Sequence, residues 1–525
     1  MRLVDDPSLR RPFGAVPVED GLVAFRVWAP AASTVAVRLD GVDHPLEPAG
    51  DGVHEGRVAA RPGADYRYVL DGGEPLADPW SRFQPEGVLG PSRVLDTGGF
   101  VWSDGAWEGL ALDELVLYEL HVGTFTEEGT FEAAIPHLAE LAELGVTAIE
   151  LMPVATFPGD RGWGYDGVYA SAPHPAYGGP EGLVRLVDAA HAAGLGVILD
   201  VVYNHLGPGG DAFSQFGPFF TDAHHTFWGD AIDYAQPAVR EWAIQNACSW
   251  VRDYHVDGLR LDATHAVFDD GPRHVLAELA DRVHGESPRA LVISEMETGD
   301  LRPIEEWGHD AQWADEFHHE QHVLLTGERE GYYADYRGSV AALARQLLRR
   351  PAERLVFCTQ NHDQVGNRAF GDRPPRSVQP LQALVLLFAP QAPLLFMGQE
   401  HADPAPFRFF TDHVDSFVAD AVREGRRAEF AAFSAFAGED VPDPQREETF
   451  LASKLSWTGE PELRRLVQQL LLLRRSLPRE CEVGWSEEER WLTVRRGPVE
   501  LVANFAEHAV DVGGTTVPPL SGVLR

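Results

Sequence analysis

Four apolar runs in this chain each stop on groups that can hold charge or move a proton. They end at Asp200-Val-Val-Tyr-Asn-His205, at Arg260-Leu-Asp262, at Ser294-Glu295 and at Gln360-Asn-His362-Asp363. Solvation alone does not account for carboxylates abutting four buried-looking runs. Residues i and i+2 of a strand share a face, which sets Arg260 beside Asp262, and a guanidinium favours the ionised form of a neighbouring carboxyl. An ordinary strand-end ion pair has the same signature, so this pair decides nothing by itself. Glu295 has no cation beside it in the sequence, and a dry setting raises the pKa of such a carboxyl, as a general acid requires. Two carboxylates facing each other across a site are the machinery of glycoside hydrolysis. A gap of about 5–5.5 Å gives retention through a covalent glycosyl-enzyme, and a wider one admits water and gives inversion. Asp262 is the expected nucleophile and Glu295 the expected acid/base. Glu297 lies on the Glu295 face of the same run; Glu295 is preferred because it directly ends the strand.

These groups need a frame that brings distant strand ends together. From about residue 111, apolar strands alternate with amphipathic helices. Strands are expected at 115–121, 146–152, 195–202, 256–262, 290–295, 354–359 and 392–397, with a weak one near 310–313. Helices are expected at 131–144, 183–193, 237–254, 272–283, 339–349, 378–387 and 462–477. Alternation implies a parallel sheet, and eight units imply a closed (β/α)8 TIM barrel, whose active sites lie at the C-terminal strand ends. Residues 1–100 alternate with period two between turn signals such as Asp40-Gly41, Asp51-Gly52 and Asp71-Gly72, which reads as an N-terminal β-sandwich. Residues 481–525 read as a small C-terminal β-domain. The barrel, 101–480, carries two insertions, at about 204–237 and 398–461. Loops of that length are usually functional.

Bulk composition excludes several functions. There are 43 Lys+Arg against 81 Asp+Glu in 525 residues, a net charge of −38, which repels nucleic acid and anionic membranes. Lys454 is the sole lysine, so no lysine Schiff base or P-loop is available. Cys248, Cys358 and Cys481 are too far apart for a metal motif or disulfide framework. No apolar run is long enough to span a bilayer, and the N-terminal residues carry no secretory h-region. The expected setting is cytoplasmic. Gly207-Pro-Gly-Gly210 reads as a turn rather than a phosphate cradle. No Asp/Asn-rich loop has metal-binding spacing, so neither metal nor cofactor is expected. Trp163, Trp228 and Trp313 can each stack on a sugar or pack in a core.

The motifs Asp200-Val-Val-Tyr-Asn-His205, Asp257-Gly-Leu-Arg-Leu-Asp262, Ile293-Ser-Glu295 and Asn361-His-Asp363 resemble, in order and spacing, the four barrel motifs of the α-amylase superfamily. The N-terminal sandwich is similar to that of isoamylases and branching enzymes. The resemblance implies that Asp262 is the nucleophile, Glu295 the acid/base and Asp363 a third carboxylate that favours the distorted transition state. It further implies sugar contacts from His205, Arg260 and His362, and an aromatic platform at Tyr165 in Trp163-Gly-Tyr-Asp166. Gln312-Trp-Ala-Asp315-Glu-Phe-His318-His319, Gln360-Asn-His-Asp-Gln-Val-Gly-Asn367 and Pro406-Phe-Arg-Phe-Phe-Thr-Asp412 resemble the maltooligosyltrehalose trehalohydrolases within that superfamily.

That resemblance implies cleavage of the α-1,4 bond next to a terminal trehalose unit, and a partner synthase that makes the substrate. Substrate contacts are then expected from Leu261, Ala263, Thr264 and His265 beside the nucleophile. Others are expected from Trp313, Asp315, Glu316, Phe317, His318 and His319, and from Gln364, Val365, Gly366 and Asn367. Short donors and acceptors such as Asp315, His318 and His319 suit a compact sugar dense in hydroxyls. The alternatives are a branching enzyme with the same three carboxylates, and an inert glucan-binding protein.

Overall fold

The computed structural model describes residues 8–226, 228–297, 299–330, 333–430 and 441–525. Asp40-Gly41, Asp51-Gly52 and Asp71-Gly72 have positive φ at both residues, the backbone of two-residue turns whose twist suits antiparallel strands. They help to build a seven-stranded antiparallel unit. Its layers are joined by one long strand, Val42–Gly50, which pairs with Val35–Leu39 over its first half and with Val53–Ala59 over its second. The alternating residues Val23, Phe25, Val27, Val35, Val37, Tyr66 and Tyr68 form its buried core.

The barrel strands are β1 (Leu117–Leu120), β2 (Ala148–Leu151), β3 (Gly196–Val201), β4 (Gly258–Leu261), β5 (Leu291–Ser294), β6 (Ala311–Trp313), β7 (Leu355–Cys358) and β8 (Ala392–Phe396). They close in that order, β8 pairing with β1, all parallel. The weak run near 310–313 is β6. β4 pairs in register with β5, Arg260 opposite Ile293, so side chains from neighbouring strand ends meet above the barrel. The helix expected over 131–144 is broken into Phe131–Ala134, a 3-10 turn at Ile135–His137 and Leu138–Leu144. Pro136 lacks the amide hydrogen that a continuous helix needs.

The first insertion, which shows no periodicity, holds a 3-10 turn at Gly210–Gln215 and a hairpin, Phe220–Thr226 with Gly229–Ile232. Its Phe219 meets Trp28 of the sandwich edge-on at 5.6 Å, and Phe216 meets Tyr68. The sandwich therefore backs this insertion. The second carries a helix at Ser416–Phe430; residues 431–440 of it lie outside the described residues. Beyond the barrel, Glu482–Ser486, Trp491–Arg496, Val499–Asn504 and Ser521–Leu524 make a four-stranded antiparallel sheet. Among the described residues no helix is long and apolar enough to cross a membrane.

Candidate active site

Arg260, the last residue but one of β4, has a fully buried side chain and binds three carboxylates. Its Nη1 donates to Asp200 Oδ2 at 2.6 Å and to Asp262 Oδ1 at 3.0 Å, and its Nη2 donates to Glu295 Oε2 at 2.7 Å. The guanidinium lies 4.2 Å from the ring centre of Trp313, a cation–π contact that steadies a charge cut off from water. Glu295, which has no cation beside it in the sequence, thus has one in space. The in-register pairing of β4 and β5 brings one guanidinium to both carboxylates, a closeness hidden by a sequence separation of 35 residues.

Asp262 is further held by Asn204 Nδ2, which donates to its Oδ2 at 2.8 Å, and Glu295 accepts from the backbone N–H of Ala263 at 2.9 Å. Ala263 has φ +39, a left-handed conformation uncommon for a residue with a side chain, and this turn aims that N–H at Glu295. Asp363 sits in the first turn of the helix His362–Gly366, whose N-terminus is capped by Asn361. Asn367 Nδ2 donates to its Oδ1 at 2.8 Å.

Asp262, Glu295 and Asp363 all open onto one cleft of about 2290 Å³. Tyr165, His205, Ala263, His265, His362 and Asn367 line it as well. So do two tryptophans expected either to stack on a sugar or to pack in a core, the buried Trp163 and the half-exposed Trp228, the latter stacked on His205 at 3.8 Å. Burial pushes the Asp200 carboxyl up to about 7, against the pull of Arg260. Burial pushes the His205 imidazole down to about 4, so that ring is neutral at pH 7. His362 behaves oppositely. Burial opposes its charged form, but Asp363 and Glu119 carry it up to about 10.

Other expected substrate contacts do not line this cleft. Leu261 points into the apolar core, as strand alternation between Arg260 and Asp262 requires. Thr264 is buried and donates to the backbone oxygen of Glu295. Phe317 stacks on Phe357 at 4.4 Å within the core, and Val365 is also buried there. Glu316 pairs with Arg349 at 2.9 Å. His318 uses both ring nitrogens, on Thr359 O at 2.9 Å and Tyr333 Oη at 3.1 Å. A Cβ on Gly366 would stand 2.2 Å from the Trp163 ring, so this glycine seats the tryptophan. Gln364 lies on the short helix away from the cleft, and Trp313 is buried beneath Arg260. For these residues the motif runs on in sequence while successive side chains turn to opposite sides.

Asp315 and His319 do not line this cleft either, but their polar groups are left less satisfied. Burial, then Glu295 and Asp363, pushes the Asp315 carboxyl up to about 8. His319 Nδ1 is buried without a hydrogen-bond partner, and burial with the nearby His322 pushes the ring down to about 4. Glu297 is exposed and outside the cleft. Gly207-Pro-Gly-Gly210 is a packed turn: a Cβ on Gly207 would stand 1.9 Å from Asp166 O. Among the described residues no group of three or more His, Cys, Asp or Glu could hold a metal ion. Sequence reasoning missed Glu119, a buried carboxylate in β1 that bonds His362 twice. The signal was there as a lone acid inside an apolar strand.

A closed parallel barrel with an Asp ending β4, a Glu ending β5 and an Asp after β7 on one cleft defines a barrel glycosidase of the α-amylase type. The alpha-amylase catalytic-domain family matches residues 97–228. The malto-oligosyltrehalose trehalohydrolase of Deinococcus radiodurans is 47% identical over 509 residues, covering 90% of this chain and 84% of that one. That of Saccharolobus solfataricus is 39% identical, covering 96% and 95%. A crystal structure bearing the alpha-amylase name, from Salmonella typhimurium, superposes with a TM-score of 0.90 at 38% identity, covering 98% and 99%. The chain belongs to the malto-oligosyltrehalose trehalohydrolase family.

Proposed function

We propose that this chain is a retaining glycoside hydrolase that cuts the α-1,4 bond next to the terminal trehalose of maltooligosyltrehalose, releasing trehalose and a maltooligosaccharide. The observation that carries the reading is the convergence of Asp262, Glu295 and Asp363 on one cleft above the buried Arg260. Asp262 attacks the anomeric carbon while Glu295 protonates the departing O4 of the trehalose unit. Glu295, now a carboxylate, takes a proton from water, and that water releases the sugar from Asp262. Asp363, with His362 beside it, holds ring hydroxyls as the sugar flattens. Asp315 and His319 select the trehalose end, a role supported by a half-buried carboxyl raised to about 8 and a buried ring nitrogen without a partner. On this reading the substrate comes from a maltooligosyltrehalose synthase, and the reaction runs in the cytoplasm.

The test is product analysis after incubation with maltooligosyltrehalose and, separately, with amylose. Free trehalose from the first is the expected outcome. New α-1,6 linkages in the second would identify a branching transferase instead, and no turnover of either would identify an inert glucan binder. Asp315→Asn and His319→Gln should lower cleavage of maltooligosyltrehalose more than cleavage of amylose; equal losses on both would remove these two residues from the trehalose end.

A further inference from the structure

We propose that Glu119 is a positioning residue for this reaction: its buried carboxylate clamps His362 through both oxygens and holds the imidazole with Nε2 toward Asp363. The inference rests on the active-site reading above and goes one layer beneath it. Glu119 lies in the middle of β1 with no exposed surface. Its Oε2 accepts from the His362 backbone N–H at 2.9 Å, and its Oε1 meets His362 Nδ1 at 2.5 Å. The first bond fixes the start of the helix His362–Gly366, which carries Asp363. The second fixes the ring.

Nε2 then points at Asp363 Oδ2, 3.4 Å away. Aromatic rings confine the imidazole further. Tyr165 stacks on it at 4.9 Å, Trp163 meets it edge-on at 5.8 Å and Trp313 lies at 5.9 Å.

An ionised carboxylate only accepts hydrogen bonds, so Nδ1 must carry a proton for Glu119. Nε2 stands 3.4 Å from a second carboxylate, which favours a proton there as well. The ring between Glu119 and Asp363 is therefore an imidazolium, a donor at both nitrogens. The surrounding charges agree. Glu150 sits directly opposite Glu119 in the β1–β2 register, and two carboxylates side by side in a dry barrel do not both ionise. Burial, then Glu119 and Asp200, raises the Glu150 carboxyl, which is thus neutral and leaves Glu119 as the counter-ion. Arg260 opposes the charge on His362, Asp200 and Asp363 favour it, and His121 has a neutral ring. Glu119 thereby keeps His362 a donor to Asp363 and the sugar throughout the neutral range.

Glu119→Gln tests this on whichever α-glucan the wild type turns over. The expected result is a kcat loss on the order of 100-fold at pH 7, with the NMR titration of the His362 ring moved down by at least about one pH unit. Glu119→Asp, which keeps the charge at a shorter reach, should lose rate with the ring titration in place. Combining Glu119→Gln with His362→Gln should cost no more than His362→Gln alone. Additive losses, or a His362 titration that stays put in Glu119→Gln, would overturn the inference while leaving the three-carboxylate reading intact. If Glu119→Gln does not fold, Glu119→Asp decides: a moved titration overturns the inference, an unmoved one supports it. A wild type that turns over no α-glucan overturns both.

Discussion

Strand β4 has an aspartate just outside each end, and the two are built in opposite ways. Asp257, before the strand, accepts from Trp107 Nε1 at 2.6 Å, from the Val197 backbone N–H at 2.8 Å and from His191 Nε2 at 2.9 Å. His191 also reaches Asp104, at 3.0 Å, and Asp104 takes His255 at 2.8 Å. Two imidazoles thus serve two carboxylates, and the rings are stacked against Trp107 and Trp102. Asp262, after the strand, belongs to a network in which one guanidinium serves three carboxylates. There Asp200 Oδ1 and Arg260 Nε have no hydrogen-bond partner, and the cleft is open. The closed end of the barrel matches two imidazoles to two carboxylates and gives both Asp257 oxygens partners, as a purely structural network should. The open end carries an excess of anion and spare acceptors, which is what a site for a hydroxyl-rich, transiently cationic sugar requires.

The same substitution at the two ends should therefore do opposite things. Asp262→Asn is expected to lower kcat by on the order of 10⁴-fold or more, with a melting temperature equal to or above that of the wild type, because one of three competing anions is removed. Asp257→Asn is expected to leave kcat within a few-fold while lowering stability by roughly 3 kcal/mol, the scale for breaking a buried ion pair. Steady-state kinetics and calorimetry on both variants check this. If Asp262→Asn melts as early as Asp257→Asn, the two ends do not differ in the way described.

The open end was far more legible in the sequence than the closed one. Arg260, Asp262, Glu295 and Asp363 could be found because each terminates an apolar run, and a parallel barrel collects strand termini at one rim. The barrel itself was legible because period-3.6 and apolar stretches alternate from β1 to β5 and from β7 to β8, with β6 a weak run between them. Asp104, His191, His255 and Asp257 could not be joined in the same way. Each sits alone in its own segment, and only the closure of the barrel brings residue 104 against residues 191 and 255. Glu119 fell between these cases, visible as an acid in a strand but without a partner until His362 arrives from 243 residues further on. Leu261, Phe317 and Val365 fail for the opposite reason. Contiguity in a motif placed them at the site, and side-chain direction took them to the core.

The smallest expected effect sharpens the difference most, because it depends on pH. The cation among Asp200, Asp262 and Glu295 is an arginine and does not titrate in any useful range, whereas His191 at the closed end does. Burial works against its charged form, but Asp257 and Asp104 outweigh this and raise its pKa above the ordinary 6.5. A folded-state pKa above the unfolded one means that the folded protein holds the proton more tightly. The contribution is complete below about pH 6.5 and is lost as pH rises through the folded value. Asp104 is shifted the other way: burial resists, but His255 and His191 lower its pKa, so its contribution is present above the ordinary carboxylate value and disappears as pH falls through the lowered one. Between about pH 5 and 6.5 both halves of the pair are intact. Buried neutral rings elsewhere oppose this trend. His121, His174 and His309, lowered by burial to about 3, 4 and 4, cost the fold stability as pH drops below 6.5. They are common to the wild type and a His191→Gln variant, and cancel in the difference between them. That difference in melting temperature should be largest near pH 6 and should shrink by pH 9. A gap that is the same at both values would show that His191 packs at the closed end as a neutral ring, and that the charge balance there is not what distinguishes it from the open one.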